Sequence, residues 1–180
     1  MRNPPSRVPH QSAPARIDEL EAQLAPELMS VVAGARRRAH RGADAQIDTA
    51  HLLHSLLEAD PEVRAVFDGE PQLTRVLGYL VQRSIGYGLR WQGTVEDSGA
   101  LPVVRRREVP GWSPPAATAM AAALNRAALR GAPRARGLDL LAALAADASC
   151  RAVEVLERAG VDTLSLTDRV SAASRQVSWE

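Results

Sequence analysis

His51 and His54 stand three residues apart in the stretch IDTAHLLHSLLEAD (47–60), a spacing that puts both imidazoles on one face of a helix. Such a pair can ligate a metal, and His40 and Asp48 lie nearby in sequence. No cysteine pair and no His-Glu-x-x-His pattern accompanies them, so the two histidines read as structural and no metal is expected. Cys150, the single cysteine, falls at an expected helix start, where a thiolate is favoured. No histidine in the second half of the chain is placed to activate it. The carboxylates are scattered, with no pair spaced for acid–base work. The arginines are more concentrated. ARRRAHR (35–41) sets Arg37 and Arg41 on one outer helix face, and Arg105, Arg106 and Arg107 follow one another in RRRE. Together they form a candidate anion patch that could hold phosphate. The net charge of +1 favours a solvated face instead. These residue types predict a protein that is not an enzyme and takes no cofactor.

The composition bounds the scaffold that must position them. With 180 residues the chain makes one compact domain or two very small ones. Aromatics are 3% of the residues, so the core must come from Leu, Val and Ala, which suits an all-α fold. All 22 basic residues are arginine. Without lysine there is no G-x-x-x-x-G-K-[ST] phosphate loop, so ATP is not an expected ligand. A lone cysteine forms no intramolecular disulfide and points to a reducing compartment. Nothing approaches the ~18 apolar residues of a membrane span. Residues 1–14, rich in Pro, Ser and Arg, read as a disordered leader without the apolar core of a secretory signal. A cytoplasmic protein is expected.

Periodicity then gives the elements. Ile17, Leu20 and Leu24 mark a short extra helix over 15–24. Pro26 fits the first turn of a helix whose stripe is Leu28, Val31, Val32, Ala35 and Ala39, ended by Gly42. Asp48 or Thr49 caps a helix carrying Leu52, Leu53, Leu56 and Leu57. A brief third helix begins at Asp60–Glu62, and Pro71 opens a fourth that closes near Gly86. The second half repeats this order. Ser113 caps a helix with Pro in its first turn, GLDLLAAL forms a second, Ser149 caps a third and Asp162 a fourth. Spacing sets Pro26 against Pro115, Val31 against Met120, Leu53 against Leu141, and the RAV at 64–66 against the RAV at 151–153. The expected fold is therefore all-α: a tandem pair of four-helix repeats, 25–86 and 113–175, related by a pseudo-twofold. Between them lies a linker, 87–112, whose strand-like pieces LRWQGTV and LPVVRRREV flank EDSG and form a candidate β-hairpin. That hairpin with the Arg-rich helix supports an alternative function, a nucleic-acid-binding regulator; the near-neutral charge makes nucleic acid the weaker expectation.

The doubled unit resembles the N-terminal repeat domain of Clp-type AAA+ unfoldases over about residues 24–175. That family repeats A-x-x-x-x-x-x-x-I-x-T-E-H-I-L-L-x-L, here met by Ala39, Ile47, Thr49, Ala50, His51, Leu52, Leu53 and Leu56. Its closing segment A-x-x-V-L-x-x-x-G-x-D is met by Ala152, Val155, Leu156, Gly160 and Asp162. The resemblance implies a docking module without its ATPase motor. Its partners would be peptides, adaptors or substrates of the Clp system, and its role that of adaptor, decoy or sequestering factor. Family members place an aromatic just before the first helix of the second repeat, near a shallow surface that binds peptides. Trp112 and Ser113 match that place, and Leu24 matches it in the first repeat. Protease-coupled relatives carry a Glu in each T-E-H segment that grips phosphorylated arginine. The matching positions are Ala50 and Leu138, neither of which can accept a guanidinium hydrogen bond.

Overall fold

The computed structural model describes residues 22–85, 95–96 and 111–176. Helix α1 (Pro26–Arg41) starts on a proline and buries Leu28, Val31, Val32, Ala35 and Ala39. Helix α2 (Thr49–Ala59) opens on a capping box between Asp48 and His51. Asp60 ends α2 and caps α3 (Pro61–Ala65). Helix α4 (Gly69–Ser84) completes the first repeat, beginning two residues before Pro71. The second repeat comprises α5 (Pro114–Leu129), α6 (Gly137–Ala146), α7 (Arg151–Arg158) and α8 (Thr163–Gln176). The cap of α7 is Cys150, not Ser149. The Ser149 amide and hydroxyl both turn back onto the Asp147 carboxylate, which passes the cap position to the next residue.

The core is set by α2 and α6. Every residue from Thr49 to Leu57 and from Gly137 to Ala145 is buried. A helix enclosed on all sides needs more neighbours than one four-helix unit supplies. The two central helices touch each other, α1 and α4 pack on α2, and α5 and α8 pack on α6. The short helices are exchanged: α3 packs on α6 and α7 on α2. The extended segments are exchanged too. Strand β1 (Gln46–Ile47) runs parallel to β2 (Gly111–Trp112), and the Ser113 amide donates to the Ile47 carbonyl at 2.9 Å. Leu24 bridges Ala135 in the same sense, and the Ala25 amide donates to the Ala135 carbonyl at 2.8 Å. Each repeat thus lays the strand before its first helix beside the turn that leads into the other's central helix.

These pairings fix the register of the duplication. They set Ala25 against Ser113 and Ile47 against Ala135, hence Pro26 against Pro114 and Val32 against Met120, one residue from the match that spacing suggests. The left-handed residues agree: Ala43, with φ 53°, corresponds to Gly131, with φ 69°. Leu53 and Leu141 occupy equivalent, fully buried places. The two RAV segments are not equivalent. Arg64 lies in the last turn of α3 and donates to the Leu57 and Glu58 carbonyls, whereas Arg151 opens α7. Apart from Val95, the strand-like pieces of the linker lie outside the described residues, as does the expected N-terminal helix up to residue 21. Leu24 itself is extended. No helix among the described residues is long and apolar enough to cross a membrane.

Leu53→Ala and Leu141→Ala each empty an equivalent place in the central pair, and each is expected to lower the unfolding free energy by about 2–5 kcal/mol. Urea denaturation of the two variants measures this. A loss below about 1 kcal/mol at either position would show that its central helix is not enclosed.

Candidate functional site

Of the residues singled out near the repeat junction, Trp112 alone has accessible surface. It is half-buried in β2, with part of its ring against the core. Ser113 is fully buried and caps α5 through the Ala116 amide. Leu24 is buried in the core. Arg37 and Arg41 are exposed on α1, while Arg105, Arg106 and Arg107 lie outside the described residues. Ala50 and Leu138 are both interior. Cys150 is buried, and burial pushes its thiol up to about 11, so it carries no thiolate at neutral pH. Among the described residues no group of three or more His, Cys, Asp or Glu side chains is placed to hold a metal.

What the fold brings together instead is a buried charged cluster where the repeats meet. Asp48, at the start of α2, is almost wholly enclosed. Its carboxylate takes hydrogen bonds from Arg83 of α4 and from Arg151 of α7, the latter at 2.8 Å. The Nδ1 of His51 lies 3.1 Å from the Asp48 amide nitrogen and 2.9 Å from the Asp48 carboxylate. A neutral ring accepts from the amide; a protonated ring donates to the carboxylate. The Nε2 faces Asp44 at 2.9 Å. Burial alone would raise the Asp48 pKa, but the His51 hydrogen bond and the charges of His51 and Arg83 outweigh it and hold the carboxyl well below its usual range. Burial would likewise lower His51, and Asp44 and Asp48 reverse that, raising it. His54, one turn on, behaves oppositely. Burial, helped by Arg38, pushes it down to about 4 despite Glu58 at 3.4 Å.

Glu96, from the linker, completes the cluster. Although buried, its carboxylate accepts from the Thr49 amide at 2.9 Å, the Thr49 hydroxyl, the Ser113 hydroxyl at 2.7 Å and the Arg151 amide at 2.8 Å. It therefore touches the N-terminal ends of α2, α5 and α7 at once, the positive ends of three helix dipoles.

Across the pseudo-dyad the charges change sign. In the first repeat Asp48 precedes the central helix and pairs with Arg151 of the other repeat; in the second, Arg136 takes Asp48's place and pairs with Glu62 at 2.8 Å. The third helical residue follows suit. His51 faces Asp44, whereas its counterpart Asp139 is gripped by Arg130 through two hydrogen bonds. Sequence reasoning found His51 but missed Asp139, Arg83, Arg151 and Glu96. An acidic residue three places after the helix start was a usable signal for Asp139, whose carboxylate accepts from the Arg136 amide at 3.0 Å. Glu96 sits in a segment with no periodicity, and its partners are distant in sequence.

No family model matches the chain, and no curated protein sequence matches it. Solved structures do. One, from a malarial protein secretion system, superposes with a TM-score of 0.60 at 12% identity, covering 83% of this chain and 93% of the other. Another, the N-terminal domain of the caseinolytic protease associated chaperone ClpD from Arabidopsis thaliana, gives a TM-score of 0.59 at 16% identity, covering 85% and 95%. At these identities the likeness is one of fold alone: the chain has an all-α tandem-repeat fold similar to that of the ClpD N-terminal domain.

The two histidines give stability a maximum in pH. Lowered to about 4, His54 stays neutral in the folded state while its unfolded counterpart takes up a proton below 6.5, so stability falls as pH drops from 6.5 toward 4. His51, raised above 6.5, holds its proton longer when folded, so its contribution is complete below 6.5 and is lost as pH rises through its folded value. Urea denaturation across pH 4–9 is expected to peak near 6.5, with an acid-side loss on the order of 2 kcal/mol. His54→Gln should flatten the acid limb and His51→Gln the alkaline limb. A profile unchanged by either substitution would contradict these assignments.

Proposed function

We propose that the chain is a non-catalytic protein- and peptide-binding module of the Clp N-terminal type, acting in the cytoplasm as an adaptor, decoy or sequestering factor of a Clp chaperone–protease system. Its working unit is the pair of repeats, 25–86 and 113–175, joined by the 87–112 linker. The observation that carries this reading is the likeness of fold to the ClpD N-terminal domain over 85% of the chain. The disposition of reactive groups supports it: His51, Asp48, Glu96 and Arg151 are consumed in hydrogen bonds between elements, and Cys150 is buried as a neutral thiol.

The ligand surface in this reading centres on Trp112. Its ring is partly accessible, and its backbone is fixed on both sides by β1 and by the Ser113 cap. A rigid, half-exposed aromatic held in this way loses little entropy on contact and suits an apolar anchor of a bound peptide. Ser113 serves it by holding the start of α5, and Leu24, which stands at the equivalent place before the first repeat, is buried in the core. The mechanism is competition: the chain offers ligands the docking surface that the motor's own N-terminal domain offers, with no ATPase behind it.

Adding the purified chain to a Clp-type ATPase with its peptidase is expected to slow degradation of an adaptor-delivered substrate at least several-fold when the chain is in excess. Trp112→Ala should relieve the inhibition, and circular dichroism and the thermal midpoint should confirm that this variant stays folded. Degradation unaffected by the folded wild-type chain, with no complex detected between chain and adaptor or substrate, would overturn the reading.

A further inference from the structure

The two junctions between repeats solve one problem differently. Between α3 and α6, helix α3 is capped by its own Asp60, whose Oδ1 accepts from the Glu62 amide at 2.9 Å and the Val63 amide at 3.2 Å. That carboxylate lies against Gly137, the first residue of α6. A Cβ at Gly137 would run into the Asp60 carboxylate, so any larger residue there would push that cap aside. Between α2 and α7 the corresponding cap residue is Cys150, whose sulfur is a weak acceptor. The residue facing it, in the place of Gly137, is Thr49.

The orphan amides of α7 are satisfied from elsewhere. The Arg151 amide donates to Glu96, and the Ala152 amide donates to the Thr49 hydroxyl at 3.0 Å. That hydroxyl is itself turned by donating to Glu96. We propose that Glu96 is the missing cap of this junction. It is a carboxylate supplied by the linker: it accepts the first amide of α7 and turns the Thr49 hydroxyl toward the second, whereas α3 begins on Pro61, which has no N–H, and needs only Asp60 for its second and third amides; Glu96 straps the linker to both repeats as it does so.

Three features carry the inference. The substitutions are correlated: an aspartate cap faces glycine at one junction, and a cysteine faces a threonine plus an imported carboxylate at the other. Glu96 is buried, which an unpartnered carboxylate does not tolerate, and four donors from three helix ends surround it. Two of those donors are main-chain amides that would otherwise be buried without an acceptor. Through Ser113, the strap also ends one residue from Trp112.

The test is a transplant of one junction onto the other in the full chain. Glu96→Ala alone is expected to lower the thermal midpoint by roughly 5–10 °C. In the Thr49→Gly/Cys150→Asp/Arg151→Pro background, where α7 opens as α3 does, with its own aspartate cap and no first amide to satisfy, the same substitution should cost no more than about half of that loss. An unchanged midpoint for Glu96→Ala, or the same loss in both backgrounds, would overturn the proposal. If the transplanted chain does not fold, amide exchange of Glu96→Gln in the otherwise native chain decides. Faster exchange is expected at Thr49 and Arg151, with Glu62 and Val63 at the other junction unchanged. No change at Thr49 and Arg151, or an equal change at both junctions, would count against it.

Discussion

Everything in this fold follows from two helices that cannot be left on a surface. The run from Thr49 to Leu57 is enclosed on every side, as is that from Gly137 to Ala145. Apart from Thr49, His51, His54, Ser55 and Asp139, water on either would expose Leu and Ala that nothing on the helix offsets. One repeat supplies a long helix on one flank and a closing helix on another, and leaves the remainder open. The gap is filled by the short helix of the other repeat and by the other central helix. The halves are therefore mutual interior rather than neighbouring domains, and the four extended segments that cross between them fix the geometry at its ends.

That arrangement places polar groups where they have no escape. Where α2, α5 and α7 converge, N–H groups point into a region sealed from solvent, and carboxylates are drawn to them. Asp48 and Glu96 meet that demand, and Arg83 and Arg151 balance Asp48. The cluster looks like a reaction centre by residue type alone: a histidine between two carboxylates, a cysteine close by, two arginines. Its bonds identify it as a seam. In the function proposed above, binding belongs to the outside, and the half-exposed Trp112 stands there on a strand that pairs with β1 beside the seam.

Much of this was legible in the sequence because it is written in local patterns. The i, i+3, i+4 stripes, the prolines at helix starts and the doubled Leu-Leu pairs gave the eight helices of the described residues, their order and their duplication. Boundaries slipped where a polar side chain had a closer partner than its helix, as Ser149 did with Asp147. Register slipped by a residue in the first helices, where Pro26 was set against Pro115 and its counterpart is Pro114. The turn's left-handed residue is Ala43, not Gly42, and it is Ala43 that corresponds to Gly131. The junction chemistry was not legible. Glu96 bonds Arg151 from a segment without periodicity, and Arg151 reaches Asp48 across the whole of the linker. Such pairs are chosen by the packing of two units and leave no trace in the spacing of either.

The exchange of sign across the pseudo-dyad settles how the halves can associate. Two first repeats brought together in this geometry would set Pro61 where Arg151 now meets Asp48; two second repeats would set Ala152 where Glu62 now meets Arg136. Either match removes the opposite charge that the junction supplies. Each half thus carries a lock that only the other opens. A duplication that began with interchangeable copies has become directional, and the two units can no longer trade places.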